Sequence, residues 1–146
     1  MATLNEIQAL WESDCIIDGN HLDNESILIP KLHSKYLSIL MDTKLRLSKY
    51  NNELSILKKN KFRYYRGELS RQELIEFGWS QWLYAKPLKN EMDQLLAGDT
   101  QVSEMKLRLE YLETTEYTLE SILKTIANRS YHIGDAIKYK LFLAGN

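Results

Sequence analysis

The sequence predicts an all-α protein built from long amphipathic helices. One apolar seam with heptad spacing runs from Tyr36 to Tyr64, and a second, longer one from Val102 to Ala144. No segment alternates apolar and polar residues at a period of two over the length of a strand, so no substantial sheet is expected.

The elements follow in order. Thr3 and Glu6 stand at capping-box spacing and open a short helix over residues 3–11. The run DCIIDGN is brief, β-branched and closed by Gly19, which predicts an extended link and a turn. Residues 21–29 suit a helical turn or two, and Pro30 suits the first position of a long helix, where its missing N–H costs nothing. That helix carries Tyr36, Thr43, Tyr50, Leu57 and Tyr64 on one seam position and Leu40, Leu47, Leu54 and Lys61 on the other. It should end near Gly67, a natural residue just past a helix end. Lys61 stands where a leucine is expected.

Ser70 and Glu73 predict a second capped helix, which Gly78 would stop. WSQWLYAKP reads as a connecting segment, and a further helix from about Leu88 to Ala97 ends at Gly98. Asp99 or Thr100 can cap the last helix. Its seam, which includes Leu109, Leu112, Leu119, Leu123, Ile126, Ile133 and Ile137, predicts coiled-coil-like packing, with Gly134 as its weak point. Two long helices in 146 residues leave much seam uncovered, so these seven residues are expected to drive homo-oligomerisation.

The chain has 146 residues, 44% of them hydrophobic and 27% charged, which bounds it to one domain with a modest core. Residues 1–146 are read as one helical domain. An N-terminal region, 1–98, would contain a basic segment, 31–66, and residues 99–146 would form the oligomerisation helix. No run of 18 apolar residues predicts a membrane span, and the N-terminus shows no secretory pattern. The single Cys15 cannot form an internal disulfide and fits a reducing compartment; it is expected as a small core residue beside Ile16.

The net charge of −1 conceals a strong asymmetry: residues 1–30 carry −6, residues 31–66 carry +8, and the remainder carries −3. Such a distribution directs one segment toward an anionic partner, and the acidic N-terminal stretch can pack on the basic one or compete for it. The basic segment ends in KKNKFRYYRG, residues 58–67. Cations at a helix C-terminus complement its dipole, but that effect is confined to the last turn and leaves Lys31, Lys35, Lys44, Arg46 and Lys49 unexplained. Cations interleaved with aromatics also suit a single nucleic-acid strand, with phosphates on the charges and bases on the rings. The candidate nucleic-acid-binding residues are Lys58, Lys59, Lys61, Arg63, Tyr65 and Arg66. Phe62 adds aromatic surface, and Tyr64 belongs to the packing seam.

Catalytic chemistry has little to stand on. The sequence has no GxGxxG and no GxxxxGK[ST], and His21, His33 and His132 are scattered without metal-ligand spacing. No catalytic residue, metal or cofactor is expected.

Several ordered pieces carry a family resemblance. They are CIID at 15–18, SKYL at 34–37, K-x-K-F-x-YY-x-G at 59–67, NEMDQLLAGD at 90–99, LEY at 109–111 and the ending AIKYKLFLAGN. Together they resemble the UvsY-like recombination mediators of T-even-type bacteriophages over nearly the full length. Residues 68–89 are the least similar part. The resemblance implies a non-enzymatic protein in the cytoplasm of the infected bacterial host that binds single-stranded DNA. It also implies contact with the phage single-strand-binding protein, loading of a RecA-type recombinase onto the strand, and a ring-like homo-oligomer assembled through the C-terminal region. The family's strand-binding Lys falls on Lys59. Its Arg position is held by Lys61, which keeps the charge but loses the planar fork. The competing reading is a structural coiled-coil oligomer whose basic face binds an acidic protein.

Overall fold

The computed structural model describes residues 2–145; Met1 and Asn146, the ends of the expected 1–146 domain, lie outside the described residues. It contains seven helices among those residues: α1 (Leu4–Asp14), α2 (Leu22–Ile27), α3 (Ile29–Tyr65), α4 (Arg71–Phe77), α5 (Lys89–Gly98), α6 (Thr100–Ala127) and α7 (Arg129–Leu143). No strand occurs among the described residues. Two compact units form, Met1–Leu45 with Glu113–Asn146 and Arg46–Leu112, and each takes part of both long helices.

In the first unit, α1 begins with the expected reciprocal cap. The Thr3 hydroxyl accepts from the Glu6 N–H, and the Glu6 carboxylate accepts from the Thr3 N–H. Its Ile7 enters a core with Tyr36 and Leu40 of α3 and Leu119, Ile122 and Ile126 of α6. Trp11 meets Tyr36 edge to face at 5.5 Å. Asp14 accepts from the Tyr36 hydroxyl at 2.8 Å and pairs with Lys35 at 2.6 Å, so the acidic N-terminal stretch does pack on part of the basic segment. Burial opposes the charged form of Asp14, yet the Lys35 and Tyr36 contacts outweigh it and hold the carboxyl below its usual range.

The last long helix is interrupted at Asn128, where the ladder opens, while Gly134 lies inside α7. The expected break at Gly134 is therefore corrected to Asn128. The next residue supplies the tertiary reason. Arg129 is buried and donates to the Cys15 and Ile16 carbonyls and to the Glu25 carboxylate at 2.9 Å, so α7 starts where it can hold the link and α2. Lys140 reaches the Gly19 carbonyl from the same helix. Cys15 is exposed rather than in the core, because the link it occupies lies at the surface and Arg129 takes its carbonyl.

In the second unit, Leu47 packs with Leu109 and Leu112, flanked by Tyr50 and Leu54. The last turn of α3 closes in a paired motif: the Gly67 N–H donates to the Tyr64 carbonyl and the Glu68 N–H to the Arg63 carbonyl. Gly67 makes this possible with φ 69°. Helix α4 is capped by the Ser70 hydroxyl on the Glu73 N–H and stopped by Gly78, as expected.

Both predicted seams face inward, the second as far as Ile133; beyond it Ile137, Lys140 and Ala144 are exposed. Leu109 and Leu112 belong to one intramolecular core, Leu119 and Ile126 to the other, with Leu123 packed against the latter, and Ile133 is 2% exposed. Six of the seven residues expected to join copies are covered within their own chain, and Leu109, Leu112, Leu119, Leu123 and Ile126 pack in cores that include residues of α3. Ile137 alone of the seven is exposed, at 40%.

Candidate nucleic-acid interface

The basic-aromatic segment forms the last two turns of α3, and helical geometry divides it. Each residue turns the direction by about 100°, so positions three, four and seven apart share a face. Lys59, Phe62, Arg63 and Arg66 therefore lie on one side, and Lys58, Lys61 and Tyr65 on the other. Burial follows that division: Lys59, Phe62 and Arg66 are exposed, Arg63 and Lys58 are half-buried, and Lys61 and Tyr65 are buried.

The buried side is built around Asp99. Its Oδ2 lies 3.0 Å from the Lys61 ammonium and accepts from the Tyr65 hydroxyl at 2.7 Å. Its Oδ1 accepts from the Val102 N–H at 3.1 Å and caps α6. The aromatic segment after α4 closes the arrangement. The Lys61 ammonium sits 4.1 Å from the centre of the Trp79 ring and 5.4 Å from that of Tyr64. Trp82 meets Tyr65 edge to face at 4.8 Å, and Phe77 stacks on Trp79 at 4.6 Å. Burial alone would raise the Asp99 pKa; the Tyr65 hydroxyl, the Val102 N–H and the Lys61 ammonium outweigh it and hold the carboxyl below the ordinary range. The Tyr65 hydroxyl is pushed up by burial and by the neighbouring carboxylate.

Two of the expected strand-binding residues, Lys61 and Tyr65, are 7% exposed. Lys61 and Tyr65 are held inside the fold, because positions 59 and 61 point about 200° apart on a helix. A lysine in an apolar seam was the signal: a buried charge requires a partner, and Asp99 is that partner. Tyr64, expected on the seam, does pack, donating its hydroxyl to the Ser80 carbonyl and meeting Trp79 at 5.4 Å.

On the outward side, Arg63 pairs with Glu73 at 3.0 Å and Arg66 with Glu68 at 3.0 Å, both at partly exposed positions. Lys58 and Lys59 have no carboxylate partner among the described residues. Arg66 lies over the Phe62 ring at 5.4 Å. Exposed ion pairs of this kind exchange readily with other anions, since each is worth about 1 kcal/mol or less. Sequence reasoning missed Lys86 and Lys89, which stand next to Phe62 and Arg66 across a cavity.

The family described as "Recombination, repair and ssDNA binding protein UvsY" matches residues 10–146. The chain belongs to the UvsY family. Two crystal structures of the bacteriophage T4 recombination mediator protein UvsY share its fold. One superposes with a TM-score of 0.85 at 20% identity, covering 97% of this chain and 99% of that one. The other, in a different lattice, gives 0.83 at 23% identity and covers 99% of each chain. No curated protein matches the chain. The all-α expectation thus holds for this UvsY-family chain in its element order and in its likeness to solved relatives. Among the described residues no helix is long and apolar enough to cross a membrane.

Proposed function

We propose that this chain is a recombination mediator that binds single-stranded DNA and promotes loading of a RecA-type recombinase onto strand covered by single-strand-binding protein. Membership of the UvsY family over residues 10–146 carries this reading. It acts by binding and displacement rather than by chemistry, in the cytoplasm of the infected bacterial host. Strand contact is assigned to Lys58, Lys59, Arg63 and Arg66, the cations of the segment that are not buried. Lys61 and Tyr65 fix the shape of that face from beneath.

One protomer offers few phosphate contacts, so a homo-oligomer, ring-like in this reading, would multiply them. The end of α7 suits assembly better than the inner seam does. Ile137, Tyr139, Leu141, Phe142 and Leu143 are exposed there, with Phe142 at 73%. The recombinase and the single-strand-binding protein are the further partners of this reading.

The experiment is strand binding across a salt series, followed by recombinase filament formation on strand precoated with single-strand-binding protein. The reading expects the chain to retain oligonucleotides at physiological salt and to shorten the lag of filament formation. The competing reading, a basic face for an acidic protein, draws on the Arg63–Glu73 and Arg66–Glu68 pairs. It expects no oligonucleotide retention at physiological salt.

A further inference from the structure

A cavity of about 490 Å³ opens beside the outward side of α3, between Phe62 and Arg66 on that helix and the start of α5. Its floor is apolar, with Met92 and Leu96, and its rim holds Lys86 and Lys89. Phe62 is 40% exposed, with Arg66 over its ring at 5.4 Å, so part of a large ring still meets solvent. Lys86 and Lys89 have no acidic partner among the described residues. One acid, Asp93, also lines the cavity, and Arg66 is paired with Glu68, so Lys86 and Lys89 are the lining cations that no carboxylate neutralises among the described residues.

We propose that this cavity holds one nucleotide of a single DNA strand, its base against Phe62 and the apolar floor and its flanking phosphates on Lys86, Lys89 and Arg66. The inference rests on the strand-binding reading above and adds to it a subsite that takes bases rather than only backbone. The charge balance selects an anion, and the exposed ring beside an apolar floor selects an anion that carries a flat apolar group. A nucleotide combines both, whereas an acidic peptide satisfies only the rim. Lys59, Phe62 and Arg66 share one side of α3, so a strand running along the cations passes the mouth of the cavity. Stacking on an aromatic face is tolerant of sequence, because every base has such a face. Asp93 disfavours a second phosphate close to its own side and leaves the floor to the base.

The test compares full-length protein on an oligothymidylate and on an abasic strand of equal length and charge. Phe62→Ala is expected to weaken binding about tenfold on the oligothymidylate and to leave the abasic strand unaffected. Phe62→Tyr, which keeps the ring, should bind both as the unsubstituted protein does. Lys86→Gln with Lys89→Gln should lower the log–log salt slope on both strands by about 1.4 per protomer engaged. Circular dichroism melting of each variant reports whether the fold persists; an unfolded Phe62→Ala is replaced by Phe62→Leu, for which the same loss is expected. Equal losses on the two strands, or none, overturn the cavity while leaving the strand-binding reading standing. Displacement of oligothymidylate from the Phe62→Ala and unsubstituted proteins alike by poly-glutamate at equal charge also overturns it. If the unsubstituted protein retains neither strand, the strand-binding reading fails and the cavity with it.

Discussion

The Lys61 ammonium stands 3.0 Å from the Asp99 carboxylate, and both side chains are more than nine-tenths buried. The pair ties the end of α3 to the start of α6, and Tyr65 and the Val102 N–H complete the carboxylate's hydrogen bonds. Two expensive desolvations are offset only because each charge meets the other and further donors. Lys61, at the position that resembles a family strand-binding residue, is thus held in a buried ion pair, while its neighbour Lys59 is exposed.

Removing one partner should expose the size of that clamp. Lys61→Met leaves Asp99 buried without its cation, and a loss of about 3 kcal/mol in unfolding free energy is expected. Lys61→Met with Asp99→Leu should recover part of it. Urea unfolding of the two variants measures both. A Lys61→Met protein as stable as the original would show that the pair contributes nothing.

Lys59 behaves oppositely. Lys59→Ala should leave the melting temperature within a degree or so, because the side chain is exposed. It should reduce the salt slope of single-strand binding by about 0.7 per protomer engaged. Titrations at several salt concentrations check this, and an unchanged slope would remove Lys59 from the strand path.

The pH dependence follows from the direction of the Asp99 shift. Its folded pKa lies below its unfolded value of about 3.8. Between those two values the unfolded chain binds more protons, so the stabilisation is complete above about pH 4 and disappears as pH falls through the folded pKa. Asp14 shifts in the same direction and adds to the same window. Asp99→Asn should flatten that part of the acid-unfolding profile while lowering stability at neutral pH. A profile with the original slope would assign the acid transition to other carboxylates.

Packing and assembly can be separated on the last two helices. Leu119 is fully buried in the first unit's core, so Leu119→Ala should destabilise the fold by about 2–5 kcal/mol. Phe142→Ser, at a position 73% exposed, should leave the melting temperature nearly unchanged and lower the oligomer mass seen by light scattering. Full oligomer mass in the Phe142→Ser protein would take that residue out of the assembly surface.

The sequence alone determined the helices, their capped starts at Thr3 and Ser70, their glycine stops at Gly67 and Gly78, and the inward direction of the seams as far as Ile133. These are set by local hydrogen bonding and by residue spacing along one helix, both of which are written in consecutive residues. It also determined that charge accumulates over 31–66. Tertiary structure decided what each seam meets: α6 finds α3 of its own chain, and Leu109, Leu119 and Ile126 lie in cores shared with it. It placed the helix interruption at Asn128, where Arg129 must reach residues 15, 16 and 25. And it divided KKNKFRYYRG into two sides, since whether Lys61 meets solvent depends on Asp99 and Trp79, which lie 38 and 18 positions away in the chain and reach it only when the fold has formed.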